Sequence, residues 1–479
     1  MNLVSSIKEE KPIILWFRRD LRLSDHPALD SASRTGRRLI PLFIYDEFTQ
    51  SMGAAPKWRL SLSVKQLSKD LEGINLKLIL RQGKAIDVLK NLISECNASG
   101  LYWSRLYDLA SIKRDKQVKD FVKSLNVEAR SFPGHLLHEP WKIEKKQGGF
   151  YKVYTPFWNE VKSKDVMLSI EMPRKFPKTD LWPKSEKLDD WGMNKNMYGS
   201  DNLLVKHVVV GEVAAKNRLV LFLEKCVSNY SENRDKPEFS GTSGLSENLT
   251  YGEISPSRIW HQAMSFSSRS KVDVEKFLKE LVWRDFAWSL AFHTPHILTQ
   301  NWRPEWNDFP WRGANYESNM WKKGFTGEPL VDAGMRQMYV TGTMHNRVRM
   351  IVASYLTKHL MTDWRVGQDW FSECLIDWDP ASNAMGWQWA AGSGPDASPF
   401  FRIFNPASQA DRFDPSQTYI NNYLNITKTD YISEDARNYF LMVPKSWKFN
   451  INTPYPERLV SLKDGRNRAL KAYAGLKRT

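Results

Sequence analysis

"PIILWFRRDLRLSDHPAL" occupies residues 12–29, and its first six residues decide the reading of the first third of the chain. An unbroken apolar run of that length reads as a strand buried on both faces. Four further stretches also read as strands: "LIPLFIY" (39–45), "LKLIL" (76–80), "LYWS" (101–104) and "VEARSF" (127–132). Between them lie helical patterns such as "KWRLSLSVKQLSKDLEG" (57–73) and "KAIDVLKNLISEC" (84–96). Buried strands alternating with helices predict a parallel, doubly wound α/β sheet with right-handed crossovers. No G-x-G-x-x-G follows the first strand; "RRDLRLSDHPAL" stands there instead, so no motif indicates a dinucleotide on this sheet.

Outward from that sheet the pattern changes. Residues 136–205 are rich in proline and mixed charge ("EMPRKFPKTDLWPKSEK") and read as a linker after an α/β domain at 1–135. From 206 to 479 helical periodicity takes over, and 13 of the 20 Trp fall between Trp260 and Trp447. The expected architecture is an N-terminal α/β domain, a linker and a larger all-helical domain. The composition, 42% hydrophobic and 26% charged, is that of a folded globular protein, and the net charge of +15 points to a polyanionic partner such as nucleic acid. Three scattered cysteines (Cys96, Cys226, Cys374) exclude a disulfide framework and, with nine His in no ligand pattern, argue against a metal site. His135 and His138, in the apolar "GHLLHEP", read as structural. With no signal-peptide core in "MNLVSSIKEEKP" and no run of membrane-spanning length, the expectation is an intracellular, cytoplasmic protein.

Four stretches carry residues suited to chemistry. In "GTSGLS", Thr242, Ser243 and Ser246 stand beside glycines before a helical segment, where small hydroxyls and backbone N–H groups can hold phosphate; an ordinary capped loop is the plain alternative. Ser255 reads as the N-cap of a helix beyond it. In "FLKELVWRDF", Glu280, Trp283 and Arg284 share a helical face, either as a surface ion pair with an incidental Trp or as the wall of a pocket for a planar ligand. "MHNRVRM" offers Asn346, Arg347, Arg349 and Met350, with Arg349 able to reach Asp377 or Asp379. "NAMGWQWAAGSG" sets Trp387 and Trp389 two apart, so they point in different directions.

Together these segments resemble the photolyase/cryptochrome family along nearly the whole chain. "WFRRDLRLSDHPAL", "TSGLS", "ELVWRDF", "GMRQMYVTGTMHNRVRMIVASYL", "DWRVGQDWF", "ASNAMGWQWAAGSG" and "PFFRIFNP" occur in family order and spacing, closest to bacterial cyclobutane pyrimidine dimer photolyases of class III. The resemblance implies FAD in the helical domain, held by Tyr230, Thr242, Ser243, Leu245, Ser246 and Phe277, bordered by Arg284, Asn346 and Phe371, with Arg349, Asp377, Asp379 and Asn383 near its ring. It implies an electron-supplying chain Trp387, Trp364 and Trp311. It implies a flipped dimer met by Glu280, Trp283, Asn346, Met350 and Trp389, and lesion-strand phosphates held by Arg234, Arg347 and Arg402. The implied reaction is electron donation from light-excited FADH⁻ to the dimer, splitting it. The implied partner is UV-damaged DNA and the implied state a monomer.

Within the family, a (6-4) photolyase would carry histidines where Asn346 and Met350 stand. A cryptochrome photoreceptor usually lacks the second Trp of "WQW". A light-independent single-strand binder would need no Arg349/Asp377/Asn383 set. Two departures stand out: Gly244 replaces a basic residue common in relatives, and Trp378 replaces a small one. The folate site of many class I enzymes is not matched, because Ala110 and Ser111 occupy its place. A 5,10-methenyltetrahydrofolate antenna in a differently built site is expected from the class III resemblance, with a deazaflavin or no antenna as the alternatives.

Overall fold

The computed structural model describes residues 11–179, 181–197, 199–396, 402–424 and 432–476. Five strands, β1 (Ile13–Phe17), β2 (Leu39–Tyr45), β3 (Ile79–Gln82), β4 (Gly100–Ser104) and β5 (Glu128–Phe132), form one parallel sheet in the order β3-β2-β1-β4-β5. Every residue of β1, β2 and β4 is buried, as their apolar runs require. The two faces alternate: Ile13, Leu15 and Phe17 enter one core, while Ile14 and Trp16 enter another. Three of the flanking helices are α1 (Ala54–Glu72), α2 (Ala85–Cys96) and α3 (Leu109–Ser124).

One strand lies later than the sequence suggests. The four apolar residues of the run 76–80 are buried while Lys77 is exposed, but pairing with β2 begins only at Ile79, opposite Leu42. Hydrophobicity marks what is buried; the ladder marks what is strand. The outer edge of β3 is covered by the linker: Leu80 N–H donates to Ser185 Oγ (2.9 Å) and Glu186 N–H to Leu80 O (2.9 Å). Covering an edge in this way removes a site for unwanted strand pairing.

The proline-rich connection does more than join two bodies. Its helix α4 (Tyr154–Lys162) buries Tyr154, Phe157, Trp158 and Val161 in the first helical core, while Trp191 stacks on Tyr45 of the sheet at 5.0 Å. Beyond it, the helices that build the site are α5 (Glu212–Lys225), α6 (Lys271–His293), α7 (Asn346–Ser354), α8 (Trp364–Cys374), α9 (Pro380–Ala391) and α10 (Leu462–Leu476). No strand occurs after β5 among the described residues. Ser255 caps the helix Pro256–Ser265 as expected, its side chain accepting from Arg258 N–H. The preceding segment is a separate short helix, Ser246–Tyr251, ended by Gly252 in the left-handed region (φ 69°).

Gly252 also locks the two domains. A Cβ there would lie 2.1 Å from the Arg19 carbonyl oxygen, so only glycine permits the approach. Around it, Arg22 donates to Gly252 O (2.9 Å), Glu212 accepts from Leu23 N–H (2.6 Å), and Arg59 pairs with Glu253 at 2.8 Å with both side chains fully buried. Breaking one member of such a buried pair typically costs about 3–5 kcal/mol.

Candidate functional site

A cavity opens among the helices of the second domain, enclosing about 810 Å³ of unfilled space, part of it open to solvent. At one end lies the loop before the Ser246–Tyr251 helix, presenting Thr242, Ser243, Leu245 and Ser246. Gly244 sits there at φ +62°, a conformation that disfavours a side chain. Arg218 of α5 crosses to this point: its guanidinium carbon is 3.5 Å from where a Cβ of residue 244 would be, and it bonds Gly244 O and Glu247 at 2.6 Å each. A cation thus stands beside the loop although residue 244 supplies none.

The opposite wall comes from α6, α7 and the start of α9. Arg349 holds Asp377 with one nitrogen, at 3.0 and 2.8 Å from the two carboxylate oxygens, and its Nε donates to Met344 O at 2.7 Å. Asp379 caps α9 by accepting from Ser382 N–H (2.9 Å) and accepts from Trp288 Nε1–H (3.0 Å). Arg19, from the segment after β1, stands 3.9 Å from Asp379 and 5.9 Å above the Trp378 ring. Tyr230, Phe277, Glu280, Leu281 and Arg284 complete much of the lining.

Electrostatics separate the members of the α6 face. Burial lowers the pKa of Arg284, partly offset by Asp379 and Asp285. Its two terminal nitrogens reach His135 O (2.7 Å) and the His135 ring (3.0 Å), and its Nε is buried without an acceptor. A cavity-lining cation with a spare N–H suits an anionic or carbonyl-bearing ligand. Next to it, burial lifts the Asp285 carboxyl to about 7, with Arg284 pulling the other way. Glu280 is hydrogen-bonded by Arg234; burial works against the charge on Arg234, and this hydrogen bond and attraction outweigh it and push its pKa up. Trp283 turns from the cavity and stacks on Tyr154 at 3.6 Å, nearly parallel at 7°.

The paired tryptophans separate as their spacing predicts. Trp387 is 2% exposed in the second helical core, whereas Trp389 is half-buried against it. The Trp387 indole lies against the bare backbone of Gly367, where a Cβ would be 2.0 Å from its ring, three residues after the fully buried Trp364 on α8. Trp311 is brought near Trp364 by a short bridge: Arg312 N–H donates to Met361 O and Asp363 N–H to Arg312 O, both at 2.8 Å. It is partly exposed, whereas Trp387 and Trp364 are both buried.

Of the residues singled out in the sequence, eleven line the cavity: Tyr230, Thr242, Ser243, Leu245, Ser246, Phe277, Glu280, Arg284, Arg349, Asp377 and Asp379. Asn346, Phe371 and Asn383 stand outside this lining; Asn383 donates to Gln368 O at 3.1 Å and Phe371 packs on Trp387 at 4.9 Å. Arg347 pairs with Asp235 at 2.7 Å, Met350 lies beside Arg347, and Arg402 is exposed. Residues 397–401, which include the first three of "PFFRIFNP", lie outside the described residues. Sequence reading missed Tyr154, Arg218, Trp288 and Trp321, the last meeting Trp387 edge-on at 5.9 Å. Trp288 follows the α6 stretch by one turn without a motif of its own, and the other three are recruited from distant segments.

An α/β domain locked to a helical domain carries a cavity suited to a phosphate-bearing planar cofactor, beside a series of packed indoles. Two family models match: the DNA photolyase domain over residues 13–178 and the FAD-binding domain of DNA photolyase over 277–475. The chain belongs to the photolyase/cryptochrome family. It is 41% identical to the deoxyribodipyrimidine photo-lyase of Agrobacterium fabrum over 98% of each chain. It superposes on the crystal structure of a bacterial class III photolyase from Agrobacterium tumefaciens with a TM-score of 0.91, 40% identity and full coverage of both chains. Cryptochrome-1 of Arabidopsis thaliana is more distant, 31% identical over 86% of this chain and 62% of its own length. The activity is therefore that of a flavoprotein deoxyribodipyrimidine photo-lyase, which uses blue light to split cyclobutane pyrimidine dimers in DNA.

Proposed function

We propose a residue-level division of labour for this repair reaction. The observation that carries it is the single cavity joining the hydroxyl loop 242–246 to the Arg349–Asp377 pair. FAD supplies light-driven electron donation when bound. Thr242, Ser243, Ser246 and the neighbouring Arg218 hold its phosphates, while Tyr230, Leu245 and Phe277 close the apolar side. Arg349 and Asp377 flank the ring with Asp379 adjacent, and Arg284 offers its spare N–H. Asn346, Phe371 and Asn383 border the ring from outside the present lining.

Glu280 accepts hydrogen bonds from the damaged bases, and Arg234, which now holds it, turns to the lesion strand together with Arg347 and Arg402. Trp283, held flat by Tyr154, and Trp389 pack on the flipped dimer with Met350 and Asn346. Trp387, Trp364 and Trp311 relay electrons inward. A folate antenna, 5,10-methenyltetrahydrofolate, occupies the crevice past the C-terminal ends of β1 and β4, where the strand order reverses. The domains divide at 135 and 205, and the protein works as a cytoplasmic monomer on nucleoid DNA.

The test is repair of a UV-irradiated oligothymidylate by the chemically reduced holoenzyme, in light and in darkness, read by returning thymine absorbance. Light-only recovery is expected, weakened by Trp389→Ala and by Glu280→Ala but not by Trp387→Phe, which slows photoreduction instead. A Trp387→Phe variant that photoreduces normally would refute the relay, and a Glu280→Ala variant that repairs normally would refute the base contact.

A further inference from the structure

Glu280 of the cavity wall begins a chain of alternating charge that ends at the start of α7. Glu280 is hydrogen-bonded by Arg234, Arg234 Nε stands 3.6 Å from Asp235 Oδ1, and Asp235 Oδ2 is 2.7 Å from Arg347 Nη2. Glu280, Arg234 and Arg347 all have partners to find on damaged DNA. Asp235 has none there: a carboxylate repels phosphate, and this one stands between two arginines assigned to phosphates. We propose that Asp235 determines specificity by holding the place of a lesion-strand phosphate between Arg347 and Arg234, a place it yields more readily to a damaged strand than to an intact one. This inference rests on the assignment of Arg234 and Arg347 to lesion-strand phosphates above.

The geometry suits an exchange of acceptors. Both members of the Asp235–Arg347 pair reach solvent, with side chains 30% and 19% exposed, so an incoming phosphate can compete for the guanidinium. The cations themselves rest on ring faces, Arg347 4.6 Å over Phe413 and Arg234 5.4 Å over Tyr230, and these contacts do not depend on which anion is bound. Arg347 has donor capacity to spare among the described residues. Its Nε is buried with no acceptor, and its Nη1 meets the Met350 sulfur, a weak acceptor, at 3.9 Å. A phosphate brings more acceptor oxygens than a carboxylate and can answer those donors. Asp235 itself is charged at neutral pH. Burial works against that charge, and the hydrogen bond and attraction of Arg347, with Arg234 adding to them, outweigh it and lower the pKa.

Selectivity follows from the coupling along the chain of charge. An intact strand, whose bases stay stacked, offers Glu280 nothing, so Glu280 keeps Arg234 and Asp235 remains beside it. The phosphates of that strand meet a carboxylate that repels them and an Arg347 already paired. A flipped dimer hydrogen-bonds Glu280 and releases Arg234, and the two arginines close on the strand together. Asp235 thereby weakens binding to every strand, but the dimer offsets part of that loss through Glu280 and an intact strand does not. Discrimination is a difference between two affinities, and a repulsive group that burdens the wrong partner more increases it.

The test compares binding of the holoenzyme, in darkness, to two oligonucleotides of one sequence, with and without a cyclobutane thymine dimer, over a series of salt concentrations. Asp235→Asn removes the charge and keeps an acceptor. Affinity for the intact strand should rise about tenfold and for the damaged strand less than about threefold, so their ratio falls. The intact-strand slope of log K against log salt should steepen by about one, because one more guanidinium is free to displace a counterion. Asp235→Ser should do the same, and Asp235→Glu, which restores the charge, should bring the ratio back toward wild type. A residue that merely braced Arg347 would cost affinity for both strands when changed, with a shallower slope. That result, or an unchanged ratio in Asp235→Asn and Asp235→Ser, overturns the proposal. Arg347→Ala separates the two readings. Unchanged binding of the damaged strand with an unchanged salt slope sinks the phosphate assignment itself, whereas weaker binding there beside an unchanged ratio in Asp235→Asn removes only the role of Asp235.

Discussion

Gly367 offers the sharpest test of how the relay is built. A Cβ at this position would fall 2.0, 2.4 and 2.5 Å from three carbons of the Trp387 indole. Carbon atoms rest at about 3.5–4.0 Å, so the methyl of Gly367→Ala lacks roughly 1.5 Å of room. Helix α8 cannot back away to provide it. On its far end the Gly53 backbone approaches so closely that a Cβ there would lie 2.2 Å from Ser372 O. The indole is boxed as well, edge-on to Trp321 at 5.9 Å and to Phe371 at 4.9 Å. Overpacking in a dense core usually costs about 1–3 kcal/mol, and with both neighbours held the upper end, about 3 kcal/mol, is expected. The assay is urea denaturation of the holoenzyme, with the photoreduction rate of bound FAD measured on the same preparation. The midpoint should fall and photoreduction should slow while FAD content stays near wild type, because neither residue lines the cavity. An unchanged midpoint with an unchanged rate would refute the contact and the relay geometry drawn from it.

Arg349→Ala and Asp377→Asn should differ although they break the same pair. Arg349→Ala strands a carboxylate whose side chain is 3% exposed, at a cost of about 3–5 kcal/mol, whereas Asp377→Asn leaves a guanidinium that is 27% exposed and partly hydrated. Equal losses in thermal melting would contradict the burial difference. Acid should destabilise the holoenzyme through two histidines. Burial lowers the pKa values of His138 and His345 from 6.5 to about 4, so the folded state resists the proton that the unfolded chain accepts. Their stabilising contribution is complete above about pH 6.5 and is lost as pH falls toward 4, up to about 3 kcal/mol each. His345 Nδ1 also accepts from Arg347 N–H at the start of α7, a cap that protonation removes. FAD release followed by its fluorescence should therefore begin below pH 6.5; full retention at pH 4.5 would refute this.

Much of this molecule could be read from local spacing, and the remainder shows what spacing leaves out. Two tryptophans two residues apart must diverge on a helix, and Trp387 and Trp389 do. Apolar runs without polar alternation must be covered twice, and β1, β2 and β4 are. Yet "LKLIL" misplaced β3, because Leu76 and Leu78 are buried by side chains alone while the ladder starts at Ile79. Prolines made the connection look like a passive linker, although Tyr154 within it supplies the stacking surface for Trp283, 129 residues downstream.

The same limit explains the cation missing at Gly244. A left-handed backbone there excludes most side chains, and the charge arrives from Arg218 on another helix, positioned by Glu247. Glu247 is in turn held near Arg59 of the α/β domain, at 3.7 Å, so the phosphate loop is tied to the domain that carries the sheet. Local sequence can state that a loop is small, polar and poised before a helix. Which distant charge completes it is decided by how the two domains dock, and here the docking glycines and buried ion pairs make that choice part of the fold.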